Sequence, residues 1–378
     1  MAATARAAAL AAAGRDIISL TAGEPDFDTP AHIAAAGIEA IRQGHTRYTE
    51  VGGTTELKDA IRAKFERDNG LTYERRQILV STGAKQTLFN LCMALLDPGD
   101  EVLIPAPYWV SYPDMVRLAD ATPVILPCSI DAGYKLTAQQ LAAAITPRTR
   151  LLLLNSPCNP TGAAYLRDEL RALGQVLAEH PRVVIGTDDM YEKIWWADEP
   201  YTTIAEVVPE LYERTVTING VSKSHAMTGW RIGYCGGPAT LISAMATIQG
   251  QSTSNPSSIA QRATIAALEG DQDCVARMCA AYRERHHYLV AALNALPGVR
   301  CRPGLGTFYA FADIRSALES LGLADDVAFS ENLLDRTGVA VVPGSGFGAP
   351  GYVRLSFATS RPLLEAAVGR IASFLRGA

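Results

Sequence analysis

The chain has 378 residues, 48% hydrophobic and 19% charged, enough to bury a large core and to divide it between two domains. A net charge of −5 without a long basic run points away from nucleic acid and anionic membrane and towards a small-molecule partner. The seven cysteines (Cys92, Cys128, Cys158, Cys235, Cys274, Cys279 and Cys301) are scattered without CxxC spacing, so neither a disulfide framework nor a metal site is expected.

The start, MAATARAAALAAAGRD, is predicted to be helical because alanine has the best helix propensity. It lacks the apolar core and cleavage site of a signal peptide, no apolar run reaches membrane-spanning length, and a cytoplasmic protein is expected. In IISLTAGEPDFDTP a short strand breaks at Gly23, Pro25 and Pro30 into a loop. A helix is predicted from about His32 to Ile41, and another, amphipathic, from near Glu56 after Gly52 and Gly53. From Gln77 to about Thr240 short apolar strands alternate with helices: ILVS with TGAKQTLFNLCMALL, EVLIPA with YWVSYPDMVRLA, LLLLN with TGAAYLRDELRALGQVLAEH, VVIGTD with MYEKI, and TVTIN with a lysine-bearing segment. Apolar strands separated by helices indicate a largely parallel sheet covered on both faces. A long helix from about Asp271 to Leu296 leads to the strands FYAFADI, GVAVVPG and YVRLSFA and a closing helix from about Pro362 to Leu375. The predicted fold is therefore α/β. A large domain, residues 30–278, has a mostly parallel central sheet flanked by helices, and residues 1–29 and 279–378 form a smaller α+β domain.

Ligands of open α/β sheets bind beyond the carboxyl ends of the strands. Four such ends present polar residues: Gly83, Ala84 and Lys85 after ILVST, Asn155 and Asn159 after LLLL, Asp188 and Tyr191 after VVIG, and Ser222 and Lys223 after TVTIN. Lys223 lies among small and apolar residues, where an ammonium loses stabilisation and the neutral amine becomes a nucleophile; an exposed loop lysine is the plain alternative. Arg231, eight residues on, suits bidentate phosphate capture, as does the helix start at Gly83 to Lys85. Amine and phosphate anchor together suggest an aldehyde cofactor carrying a phosphate. Asp188 would pair with a protonated ring nitrogen, although it and Asp189 could equally be capping or surface aspartates. Tyr191 and Asn159 would bond a ring oxygen, and a cis Asn159–Pro160 peptide is predicted to aim the Asn159 amide inward. His225 reads as a packing residue and Cys158 as a small hydrophobe.

Seven collinear motifs, GEPDFDTP, YTEVGG, PAPYWVSYP, NSPCNPTG, TDDMYE, SKSHAMTGWRIGY and YVRLSFATS, cover essentially the whole chain. Together they resemble the class I aminotransferases of pyridoxal-phosphate fold type I, and among these the bacterial aspartate aminotransferase subgroup that includes prephenate-using members. The resemblance implies pyridoxal 5'-phosphate as cofactor. It implies Lys223 as the Schiff-base lysine and proton shuttle, Asp188 as the partner of the ring nitrogen, Asn159 and Tyr191 on the ring hydroxyl, and Trp109 stacked on the ring. Gly83, Ala84, Lys85, Ser222 and Arg231 fall at or beside the phosphate, and Tyr48 resembles the tyrosine that reaches a neighbouring subunit's phosphate, which implies a homodimer with shared active sites. Arg354 resembles the arginine that grips the substrate α-carboxylate beside the Gly23 backbone, and a planar carboxylate does need a forked donor. Lys85 resembles the lysine that recognises a distal carboxylate. The implied reaction is ping-pong transfer of an amino group between an L-amino acid, aspartate or glutamate, and a 2-oxo acid. Prephenate or broad aromatic specificity, a β-lyase on the same scaffold and a non-catalytic cofactor-binding regulator are the alternatives.

Overall fold

The computed structural model describes residues 2–377. The Ala-rich start forms helix α1 (Ala2–Ala12) and leads through strand β1 (Ile18–Ser19) to the loop around Gly23. Helix α2 (Ala31–Arg42) follows, then α3 (Thr55–Asn69), whose start is capped by the Thr54 hydroxyl and whose end is released by Gly70 in the left-handed conformation. The alternating region gives β2 (Ile78–Ser81), α4 (Ala84–Leu95), β3 (Glu101–Ala106), α5 (Tyr112–Leu118), β4 (Thr122–Pro127), α6 (Ala138–Ala144) and β5 (Thr149–Asn155). It continues with α7 (Arg167–Ala178), β6 (Val184–Asp188), α8 (Ile204–Val207), β7 (Thr215–Gly220) and β8 (Gly233–Gly236).

Seven of these strands form one sheet in the order β2-β8-β7-β6-β5-β3-β4. The five from β7 to β4 are parallel, and β8 runs antiparallel to both its neighbours. Side chains alternate between two buried layers: Ile104, Leu151, Leu153 and Ile218 join one apolar cluster, and Leu103, Leu152, Leu154 and Ile185 join another on the opposite face. That double burial is why these strands read as unbroken apolar runs.

Helices α9 (Ala239–Ser252), α10 (Ser258–Glu269) and α11 (Asp273–Asn294) precede the second sheet. This sheet comprises β9 (Arg300–Cys301) and β10 (Tyr309–Asp313), followed after helices α12 (Arg315–Leu321) and α13 (Asp326–Thr337) and strand β11 (Val339–Ala340) by β12 (Val342–Pro343) and β13 (Tyr352–Ser356). Its antiparallel order is β12-β13-β10-β9, while β11 pairs in parallel with β1, and α14 (Arg361–Leu375) closes the fold. One apolar cluster runs from Leu91 and Ile104 to Leu355 and Phe374, so the two sheets share buried contacts.

Three features depart from the sequence expectation. MYEKI is a turn without helix, and the segment after β7 is a series of turns ending in one 3-10 turn at Thr228–Trp230. Strands β4 and β8 were not legible, since β4 is a half-exposed edge strand bounded by proline and β8 is GYCG, poor in strand-forming residues. GVAVVPG is two strands, because the chain passes from one sheet to another at Val341. The long helix expected from about Asp271 to Leu296, within which the domain boundary was placed, is α11. Among the described residues no helix is long and apolar enough to cross a membrane.

Candidate active site

A cleft of about 710 Å³ opens at the carboxyl ends of β5, β6 and β7 and at the start of α4. It collects Gly23, Ala84, Lys85, Trp109, Asn159 and Asp188 from the first half of the chain, and Tyr191, Ser222, Lys223, Arg231 and Arg354 from the second. Two predicted site residues lie outside this lining. Gly83 sits directly beneath it, and Tyr48 is 93% exposed on the surface.

Lys223 follows β7 and is half-buried, its Nζ donating to the Gly23 carbonyl at 2.5 Å. Burial lowers its pKa from 10.5 to about 8; the Arg231 and Arg354 cations push the same way, while Glu24 and Asp188 oppose them. Roughly a tenth of the amine is therefore neutral at pH 7, far more than for an ordinary lysine. The neighbouring histidine is not part of this chemistry: His225 is buried, bonded to Ser224 at 2.8 Å and to Gln272 at 3.1 Å, and held by burial at about 4.

Asp188 ends β6, in register with Asn155 of β5 and Ile218 of β7. Its Oδ2 accepts from the Tyr112 hydroxyl at 2.6 Å. Burial raises the carboxyl to about 6, against the pull of Tyr112, the Met190 N–H and Lys223. A cationic group placed against it would restore the carboxylate. Asn155 ties the corner together, donating to the Asp188 carbonyl at 2.8 Å and accepting from the Asn159 N–H at 2.8 Å. The Asn159–Pro160 peptide is cis as predicted, as are Ala106–Pro107 and Ser156–Pro157. Tyr191 is buried with its hydroxyl 3.1 Å from that of Tyr309. Asp189 points the other way: it is fully buried, accepts from the Thr187 hydroxyl at 2.5 Å, and is raised by burial to about 7.

The far wall is made by β13. Arg354 is 7% exposed, lies 4.3 Å from the Tyr309 ring centroid and 5.0 Å from that of Phe347, and donates to Asn159 Oδ1 at 2.9 Å and the Thr21 carbonyl at 3.0 Å. Its buried Nε has no hydrogen-bond partner among the described residues. A buried guanidinium N–H without a partner is costly, and an anion in the cleft would satisfy it. At the other end, a Cβ on Gly83 would lie 2.4 Å from Arg231 Nη2, so glycine lets the guanidinium approach the first turn of α4, whose N–H groups and dipole favour an anion. Arg231 is itself held by the Thr228 carbonyl at 2.8 Å, and Thr228 donates to Glu24 at 2.8 Å. Lys85 is exposed at the mouth, its Nζ 4.9 Å from the Trp109 ring centroid. The cleft thus offers two cationic anion seats at opposite ends, with an amine, a carboxylate and an indole between them. That donor set fits a flat, phosphorylated aldehyde together with a carboxylate-bearing substrate.

Sequence reasoning missed Tyr112, Tyr309 and Thr228. Tyr112 was visible in PYWVSYP, three residues after Trp109, but its approach to Asp188 depends on how α5 packs against β3 and β4. Tyr309 and Thr228 carry no local signal. Among the described residues no group of three His, Cys, Asp or Glu is placed to hold a metal ion.

Comparison with known proteins agrees with this geometry. Residues 15–371 match the model of the family described as aminotransferase class I and II. An aspartate/prephenate aminotransferase of Nitrosomonas europaea is 54% identical over 99% of this chain and 96% of its own. The crystal structure of the aspartate aminotransferase from Rhizobium meliloti superposes with a TM-score of 0.94 at 49% identity, covering 99% of this chain and 95% of that one. The Thermus thermophilus aspartate aminotransferase solved with maleate gives 0.92 at 43% identity, over 98% and 95%. The β6 corner, the lysine beyond β7 and the arginine on β13 thus sit in a shared fold type I framework, and the chain belongs to the class I and II aminotransferases, enzymes that depend on pyridoxal 5'-phosphate.

Proposed function

We propose that this cleft exchanges an amino group between L-aspartate or L-glutamate and a 2-oxo acid, using the site residues in the following roles. The bound cofactor supplies an aldehyde to capture the amino group and a ring that accepts electron density from the substrate α-carbon. Lys223, its pKa near 8, would hold the cofactor aldehyde and move a proton on and off the α-carbon. Asp188 would face the ring nitrogen, Tyr191 and Asn159 the ring oxygen, and Trp109 the ring face. Gly83, Ala84, Ser222 and Arg231 would take the phosphate. Arg354 would take the α-carboxylate, with the Gly23 backbone beside it. The observation that carries the reading is Arg354: a buried cation lines the same cleft as the Lys223 amine.

Lys85 is the second cation on the substrate side, and a distal carboxylate is the group it suits. The maleate of the Thermus thermophilus structure is a dicarboxylate and supports that choice. Prephenate is a second reading, favoured by the name of the Nitrosomonas europaea relative, and it too carries two carboxylates. Tyr48, exposed and outside the cleft, is available to a neighbouring subunit in a homodimer. We also infer a cytoplasmic protein, divided at 29/30 and 278/279 into the large and small domains.

A panel of amino acids mixed with the purified holoenzyme tests the reading through the absorbance of the bound cofactor. Aspartate and glutamate should convert the band, with phenylalanine slower. In Lys85→Ala, kcat/KM for aspartate should fall roughly 10- to 100-fold, the worth of one charged hydrogen bond, and that for phenylalanine less than about threefold. Equal losses with both substrates would rule out the dicarboxylate role.

A further inference from the structure

From Asp189 to Thr203 the chain forms no helix and only an isolated bridge at Trp195, yet this stretch presents Tyr191 to the cleft. Within the turn itself the backbone bonds are Glu192 N–H to the Asp189 carbonyl at 3.0 Å and Ile194 N–H to the Tyr191 carbonyl at 2.8 Å, while Asp189 N–H to the Ile218 carbonyl and Trp196 N–H to the Leu305 carbonyl tie its two ends to the neighbouring chain. Between those ends, side chains from α3 grip the middle of the turn. Glu192, 5% exposed, is ion-paired with Lys64, 2% exposed. Asn69 bridges them, accepting from Lys64 Nζ at 2.6 Å and donating to Glu192 Oε2 at 2.8 Å. One residue further on, Lys193 Nζ lies 2.9 Å from Asp68 Oδ2.

A buried ion pair is an expensive fastening. Desolvation of both charges offsets most of their attraction, and apolar replacements of similar volume are often neutral or stabilising. What apolar contacts do not supply is directional registry, which a bidentate, hydrogen-bonded carboxylate does. The fastening acts on the residue next to Tyr191, while on the other side the Tyr191 ring packs edge-on against Phe308 and Tyr309.

We propose that Lys64, Asn69 and Glu192 are positioning residues that lock the turn after β6, so that the Tyr191 hydroxyl is held at the cofactor ring oxygen and helps set the pH at which that oxygen loses its proton. The proposal rests on the reading above that Tyr191 touches the cofactor. A hydroxyl that donates to the ionised oxygen lowers the pH midpoint of the cofactor absorbance, so loosening the turn raises that midpoint.

The test is a pH titration of the cofactor band in the holoenzyme, together with kcat, KM and thermal unfolding. Lys64→Met/Glu192→Leu should stay folded, raise the midpoint by about 0.5 unit or more, and lower kcat roughly 10-fold with KM little changed. Asn69→Ala keeps the ion pair, removes its bridge and should shift the midpoint in the same direction by a smaller amount. It also keeps the proposal exposed should the double variant not fold. Tyr191→Phe alone must raise the midpoint, and Asn69→Ala should add nothing in that background. A folded Asn69→Ala protein with wild-type midpoint and kcat overturns the positioning role if Tyr191→Phe does shift the band. If Tyr191→Phe leaves the band unmoved, the contact between Tyr191 and the cofactor fails first, and this proposal with it.

Discussion

The two walls of the cleft are built by different means. On one wall Asp188 and Lys223 hang from neighbouring parallel strands, and their separation is set by a hydrogen-bonded ladder in which Asp188 is in register with Ile218. On the other, Arg354 projects from an antiparallel strand and reaches loop atoms, the Thr21 carbonyl and Asn159 Oδ1. Lys223 itself lies three residues beyond β7, whereas Arg354 stands within its strand, in register with Phe311 of β10 and Val342 of β12. On the proposed reading, cofactor chemistry falls to the first wall, from the parallel sheet, and substrate capture to the second, from the antiparallel one, with the Arg354–Asn159 bond joining them.

That division is broken most severely by removing the guanidinium fork of the second wall. Arg354→Ala should cost every amino acid substrate roughly 10²- to 10³-fold in kcat/KM, the effect of truncating a buried charged pair, while cofactor affinity changes much less. An equal loss of cofactor affinity, measured by equilibrium dialysis, would show that the walls are not separable. A smaller effect is expected at the phosphate end. Gly83 has φ +83°, and a Cβ there would meet Arg231, so Gly83→Ala should weaken cofactor binding about 10-fold or more through 1–2 kcal/mol of backbone strain plus the displaced guanidinium. Wild-type affinity in that variant would mean that Arg231 does not need the close approach.

The mildest test is a titration of the cofactor-free protein. Lys223 gains its neutral form as pH rises through about 8 rather than near the ordinary 10.5, so its trapping by a small aldehyde and borohydride, followed by mass spectrometry, should rise with a midpoint near 8. Arg354→Ala removes a cation and should move that midpoint up; Glu24→Gln removes an opposing charge and should move it down. The sign carries over to stability. Between pH 8 and 10.5 the unfolded chain binds more protons at this lysine than the folded one, so its contribution stabilises the fold as pH rises across that window. A midpoint at 10 would remove the case for a desolvated amine.

Much of the first wall was legible in the sequence, because strands buried on both faces betray themselves as apolar runs and each polar residue at a run's end falls on the same sheet edge. Asn155, Asp188 and Lys223 were found that way. The second wall was not readable from local pattern. Arg354 lies within YVRLS with nothing nearby to mark which groups its fork reaches, and resemblance rather than spacing singled it out. The turn at MYEKI failed for a related reason: its composition permits a helix, but Glu192 and Lys193 are committed to α3, more than 120 residues earlier in the chain, and tertiary contact overrides propensity. Strand β8 escaped because two glycines in GYCG carry no pairing signal, although Gly233 is required where a Cβ would lie 2.1 Å from the Ala84 nitrogen.

That short antiparallel strand has a further consequence. Ser81 of β2 is paired with Gly233 of β8, which brings Gly83 and Arg231 together although they are far apart in the chain. A slip of one residue would displace Arg231 by about 3.3 Å and turn alternate side chains to the opposite face. On the proposed reading, the phosphate seat comes into being only when this non-local pairing is correct, so a chain that binds the cofactor there has already zipped the first strand of the sheet to the last.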